Sequence, residues 1–158
     1  RVYVPTSTSG NNFVLIESNA GVYFNGGQWY YISVSLDSST GATMYVDGVA
    51  QTNTEPTATF GFTRSGANTE WGNWSTQTKA FNGKLKELAI WTSARTQSEI
   101  VSDMTRVYTG SETGLKAYFP TTEGSGSVIQ DINSVYTGSI VTTNPTPNYI
   151  DDVMWVVS

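Results

Sequence analysis

One stretch, Gly27 to Gly48 (GQWYYISVSLDSSTGATMYVDG), limits what this chain can fold into more than any other. From Trp29 to Leu36 the residues alternate. Trp29, Tyr31, Ser33 and Ser35 fall on one face, and Tyr30, Ile32, Val34 and Leu36 on the other. A period of two over eight residues is the pattern of a strand with one face against a core. Asp37 to Gly41 then gathers turn-forming residues, and Gly41 is free to take a positive φ. Ala42 to Val46 resumes as a strand, and Asp47-Gly48 is a tight hairpin signal. The stretch therefore predicts two antiparallel strands and two turns.

The rest of the chain repeats the theme. Val2–Val4, Phe13–Ile16 and Val22–Phe24 are short apolar strings, broken by Gly10-Asn11-Asn12 and Gly26-Gly27. Thr52 to Phe62, Thr-rich with Pro56, reads as an edge strand or a loop. Further strands are expected at Thr69–Trp74, ending at Gly72, and at Phe81–Trp91, with partial burial on both faces. Leu115–Phe119 is stopped by Pro120, and Thr121–Ser127 is a turn. Val128–Asn133, Thr137–Val141 and Asp152–Val157 complete the strand set. One helix is expected over 96–107. Thr96-Gln97-Ser98-Glu99 fits a capping box, and Ile100, Met104 and Val107 follow as an apolar stripe. Many short strands with one short helix indicate an all-β sandwich in a single domain, 1–158.

Composition removes several functions. The chain has no cysteine and no histidine. Disulfides, thiolate chemistry, the Ser-His-Asp triad and the usual zinc ligands are therefore excluded. With 8 basic against 13 acidic residues, a net charge of −5, nucleic acid is not an expected partner. No apolar run approaches the roughly 20 residues of a membrane-spanning helix. Charged residues make up only 13% of the chain, with Ser, Thr, Asn and Gly in their place. That neutral polar surface is common on secreted and virion proteins, so an extracellular, cell-surface or virion-surface location is expected. The chain starts at Arg1 inside a strand signal, which suggests a processed product or a segment of a longer protein.

Three segments together resemble the laminin G-like, concanavalin A-like jelly-roll superfamily, in particular its pentraxin-type branch. Gly27-Gln28-Trp29-Tyr30-Tyr31 running to Tyr45-Val46-Asp47-Gly48 is similar to a G-x-W-hydrophobic … Y-V-D-G hairpin. Phe81-Asn82-Gly83-Lys84-Leu85 through Ile90-Trp91-Thr92 to Arg95–Ile100 is similar to the family's F-x-G-x-L … S/T-x-x-E-I signature. Gly114–Phe119 followed by Glu123-Gly124-Ser125-Gly126 resembles its L-x-x-Y … E-G-x-G strand and turn. The resemblance implies a two-sheet antiparallel jelly-roll sandwich with Trp29, Trp91 and Tyr118 in the core. It also implies that the family's opening strands are missing here, to be supplied by an unseen upstream region, by a neighbour or in part by the tail. Lys86 stands where the family often has an acidic residue.

The candidate sites follow. Trp71, Trp74 and Tyr149 lie near turns, where aromatic faces stack on sugar rings or, structurally, pack a sandwich rim. Asp37, Asp47 and Glu70 are candidate calcium ligands, with Asp131 and Asp151-Asp152 as further carboxylates. Asp47 has a competing reading as a turn residue. Glu99 reads as a cap and not as a base. The superfamily also holds polysaccharide hydrolases and lyases, but Glu70 and Glu87 lack the clustered spacing of a glycosidase pair, and no catalytic residue is expected. The chain is thus expected to be a non-catalytic recognition module for a cell-surface or extracellular glycan, with calcium as a candidate cofactor. The chief rival is a structural role as a phage capsid-decoration, fibre or tail module, or filament subunit, completed by neighbouring subunits. A polysaccharide-cleaving enzyme is a lesser alternative.

Overall fold

The computed structural model describes residues 2–5, 13–16, 26–37, 39–52, 69–71, 84–141 and 154–157. The chain gathers into two compact units, each discontinuous in sequence: 1–65 with 93–107, and 66–92 with 108–158.

In the first unit, β1 (Val2–Pro5) and β2 (Phe13–Ile16) form an antiparallel hairpin with Val2 opposite Ile16. A second sheet has the order β3-β4-β5, with β3 at Ile32–Asp37, β4 at Gly41–Val46 and β5 at Val49–Ala50. The turn chemistry sets the register. Gly41 takes φ 88° as the chain reverses, and β3 pairs with β4 from Asp37↔Gly41 to Ile32↔Val46. Asp47 and Gly48 both have positive φ, 49° and 75°, as a two-residue hairpin turn with the twist of its strands demands. Gly48 is also where the hairpin meets the helix. A β-carbon there would stand 2.8 Å from Val101 Cγ2, so a side chain at this positive φ would be strained and would push Val101 aside.

That helix, α1 (Gln97–Asp103), begins as its sequence predicts. The Thr96 hydroxyl accepts from the Glu99 amide, and the Glu99 carboxylate accepts from the Thr96 amide at 2.8 Å. It ends early, however. The Arg106 amide turns back to the Asp103 carbonyl at 3.1 Å, a tight turn that closes the helix. Ile100 is buried and Met104 half-buried, while Val107, the last residue of the expected stripe, is 76% exposed.

In the second unit, β7 (Leu88–Trp91) pairs with β8 (Leu115–Phe119). The register slips between Ile90 and Trp91, which pair with Ala117 and Leu115. The expected strand over 81–91 is shortened, because Glu87 takes a left-handed φ of 56° and breaks the alternation before Leu88. A four-stranded antiparallel sheet has the order β6-β11-β10-β9, from β6 (Thr69–Trp71), β9 (Val128–Gln130), β10 (Thr137–Val141) and β11 (Met154–Val157). The chain's last strand is thus an inner one, paired on both sides.

Leu88, Ala117, Phe119 and Ile129 form this unit's core, with Leu85, Ile90 and Tyr136 packed on it. Trp91, Tyr108 and Tyr118 stack edge to face, with centroids 5.5 and 5.0 Å apart. Burial pushes the Tyr118 hydroxyl's pKa up, and the Glu87 and Glu112 carboxylates add to the rise. Tyr118 is buried as expected, and Trp91 is half-buried. Trp29 departs from expectation at 58% exposed. The sheet ladder starts at Ile32, and Asp47 clamps Tyr31 through two 2.8 Å bonds. Trp29 therefore lies on the approach to β3, outside the pleat that would have buried it. Among the described residues the fold is strands in antiparallel sheets with one short helix, as the sequence predicts. The segments Val22–Phe24 and Thr54–Phe62 lie outside the described residues.

Candidate functional site: a polar cleft on the hairpin

The β3–β4 register sorts the hairpin's side chains into two sets. Ile32 with Val46, Val34 with Met44, and Leu36 with Ala42 share one face. On it Met44 and Val46 are buried, so this face packs. Ser33 with Tyr45, Ser35 with Thr43, and Asp37 with Gly41 share the opposite face. This second face is polar, and residues 94–96 run along it. The Ser35 hydroxyl donates to the Arg95 carbonyl at 2.8 Å and ties that segment to the sheet. Between them lies a cleft of about 270 Å³, lined by Ser35, Asp37, Thr43 and Tyr45 from the hairpin and by Arg95 and Thr96 opposite. Thr43 and Tyr45 are half-buried, and neither hydroxyl has a hydrogen-bond partner among the described residues.

Asp37 closes one end of the row. Its Oδ1 accepts from the Ser39 amide at 2.7 Å, from the Thr40 amide at 3.0 Å and from the Ser39 hydroxyl. The Ser39 hydroxyl, followed by the two amides, holds the Asp37 carboxyl below its ordinary range, so it is a carboxylate at neutral pH.

The opposite wall is braced from behind. Arg95 donates from Nε and Nη2 to Asp103 Oδ2 at 3.1 and 2.8 Å, and from Nη1 to Glu99 Oε1 at 3.0 Å. Asp103 is 4% exposed, and its Oδ1 has no hydrogen-bond partner among the described residues. The bonds from Thr96, amide first, hold Glu99 below the ordinary carboxylate range, and the Arg95 charge adds to them. Arg95 is thus committed to two carboxylates. Hydroxyls, one aromatic ring and one carboxylate, set in a shallow groove, make a surface suited to a hydroxylated ligand held by hydrogen bonds and a ring face.

Of the nominated residues that the structure describes, one lines the cleft. Asp37 lines the cleft. Asp47 stands at the far end of the same hairpin, about 17 Å away for five residues of extended strand. Its Oδ1 accepts from the Tyr31 amide. Asp37 and Asp47 therefore cannot share an ion, and Asp47 serves as the turn residue of its competing reading. Glu70 and Trp71 lie on β6 in the other unit, opposite Val156 and Trp155. Trp74 and Tyr149, like Asp151 and Asp152, lie outside the described residues. Asp131 is spent on the backbone, accepting from the Tyr118 amide at 2.8 Å and from the Val135 amide. Among the described residues, no group of three or more carboxylates gathers to hold a metal ion, and no helix is long and apolar enough to cross a membrane.

Thr43, Tyr45 and Arg95 were missed in the sequence. The alternation puts Thr43 and Tyr45 on the polar face, and that much was readable. The return of Arg95 to Ser35 across 60 positions was not.

The described residues form an antiparallel β-sheet protein with a polar cleft on one hairpin. A laminin G family model, described as the concanavalin A-like lectin/glucanases superfamily, matches residues 1–101, and the chain belongs to that superfamily. Every residue lining the cleft falls within the match. So do the first two of the three motif segments, while Gly114–Gly126 lies beyond it. No curated protein and no solved structure matches the chain.

Proposed function

We propose that this chain is a non-catalytic carbohydrate-recognition module of the adhesion type, working at an extracellular surface, and that the hairpin cleft is where the glycan sits. The observation that carries this reading is that two half-buried residues lining the cleft, Thr43 and Tyr45, have hydroxyls without hydrogen-bond partners among the described residues. A hydroxyl not bonded to its own chain is available to a ligand that supplies a partner. Sugar hydroxyls do so, and the Tyr45 ring offers an apolar face to the sugar. The polar row from Asp37 to Tyr45 spans about 13 Å of strand, longer than one sugar ring. Family membership supports the same reading.

The charged groups support binding over cleavage. A glycosidase needs one carboxyl with a raised pKa to protonate the leaving oxygen. Asp37 and Glu99 are both shifted the other way.

A glycan array followed by calorimetry tests the proposal. Tyr45→Phe and Thr43→Val should each weaken binding about fivefold, the worth of one hydrogen bond, with the thermal midpoint unchanged. Repeating the titration in EDTA tests for a calcium requirement. Binding indifferent to both substitutions would move the site off this cleft, and silence across the array would end the reading.

A further inference from the structure

The cleft's charge is lopsided. Arg95 is the one base among its described lining residues, and its Nε, Nη1 and Nη2 all donate to Glu99 or Asp103. These bonds take three of the five guanidinium N–H groups and offset the Arg95 charge with two carboxylates, which weakens its pull on a ligand carboxylate or sulfate. Asp37 is the one carboxylate among the described lining residues, and Glu99 and Asp103 both sit on Arg95, so the single cation is offset by its own partners while Asp37 makes no ion pair among the described residues. Asp37 directs Oδ1 to the turn amides, and the carboxylate lines the cleft beside the open hydroxyls of Thr43 and Tyr45. Negative charge in a groove raises the local concentration of cations and repels anions.

We propose that the cleft prefers glycans bearing protonated amines, hexosamine units with an unmodified amino group, over neutral glycans, and rejects uronate and sulfated ones. The recognising pair is the Asp37 carboxylate for the ammonium and the Thr43 and Tyr45 hydroxyls for the ring hydroxyls. This rests on the reading of the cleft as a glycan site and adds the sign of the ligand's charge.

The test uses the full chain and three oligosaccharides of equal length: a glucosamine oligomer, its N-acetylated counterpart and a galacturonate oligomer. In calorimetry at low salt, the glucosamine oligomer should bind about fivefold more tightly than the acetylated one, and the galacturonate oligomer should not bind. At about 1 M salt, where the Debye length is about 3 Å, the preference should shrink toward none. Asp37→Asn keeps an Oδ1 for the Ser39 and Thr40 amides while removing the charge. It should bring the ratio of the two affinities to about one, read as a ratio so that any loss of binding common to both oligomers cancels. Thr43→Val should weaken both ligands alike and keep their ratio, which guards against a misfolded Asp37 variant. Equal binding of charged and neutral oligomers, or tightest binding of the uronate, overturns the charge preference and leaves the glycan site standing. Failure of all three to bind overturns the charge preference, and silence across the glycan array as well overturns both.

Discussion

The two units spend their polar groups differently. In the second, carboxylates hold backbone. Asp131 takes the Tyr118 and Val135 amides, Glu112 takes the Thr109 and Gly110 amides, and Glu123 takes the Gln130 amide. Beneath them sit a compact apolar core and an edge-to-face aromatic row. In the first unit Asp37, Asp47 and Glu99 also tie down turns and a helix start, yet Thr43 and Tyr45 remain uncommitted in a groove. A group already bonded to its own chain has little left to offer a ligand. The contrast fits the proposal that places recognition in the first unit.

Substitutions can break that contrast, beginning with the core. Phe119 is 0% exposed in the second unit's cluster, so Phe119→Ala should lower unfolding free energy by about 3–5 kcal/mol, read by denaturant titration. Asp131→Ala strands two backbone amides and should cost about 2–3 kcal/mol by the same measurement. If Tyr45→Phe cost as much, Tyr45 would be structural and the division of labour would fall. Thr96→Ala removes the helix cap and should cost about 1 kcal/mol. It should also loosen the 94–96 wall, so glycan affinity should drop with it.

Acid gives the finest probe. Asp37, Glu99 and Glu112 all have carboxyls held below their ordinary values, by bonds from Ser39, Thr96 and Thr109 respectively. The unfolded chain therefore takes up protons first. The stabilisation is complete above the unfolded values of about 4 and fades as pH falls through the lower folded ones. Denaturation midpoints should be flat from neutrality to about pH 5 and decline below it. A midpoint that rose on acidification would contradict the turn geometry in both units.

Much of the local structure was legible because local chemistry decides it. The Thr96–Glu99 capping box, the Asp47-Gly48 turn and the Leu115–Phe119 strand ending at Pro120 each need only near neighbours. The failures share a cause. Glu87 adopts a positive φ that nothing in its own sequence demands, and Trp29 stays exposed because the ladder starts three residues later. The site was half legible. Alternation marks the polar face, but only the folded chain brings Arg95 onto Ser35 and aligns Glu99 and Asp103 on its guanidinium. Tyr45 lies within β4 and not in a loop, so neither the pattern of loop aromatics nor that of clustered acids marks it.

The placement of β11 between β10 and β6 has a consequence for synthesis. Thr69–Trp71 has its partner in Met154–Val157, so about eighty residues must leave the ribosome before that ladder can close. At ordinary translation rates β6 waits roughly four to sixteen seconds with its backbone bonds unmade. A nascent chain halted before Met154 would lack both the β6 and the β10 side of this ladder. Such a chain is the form that chaperones would be expected to hold longest.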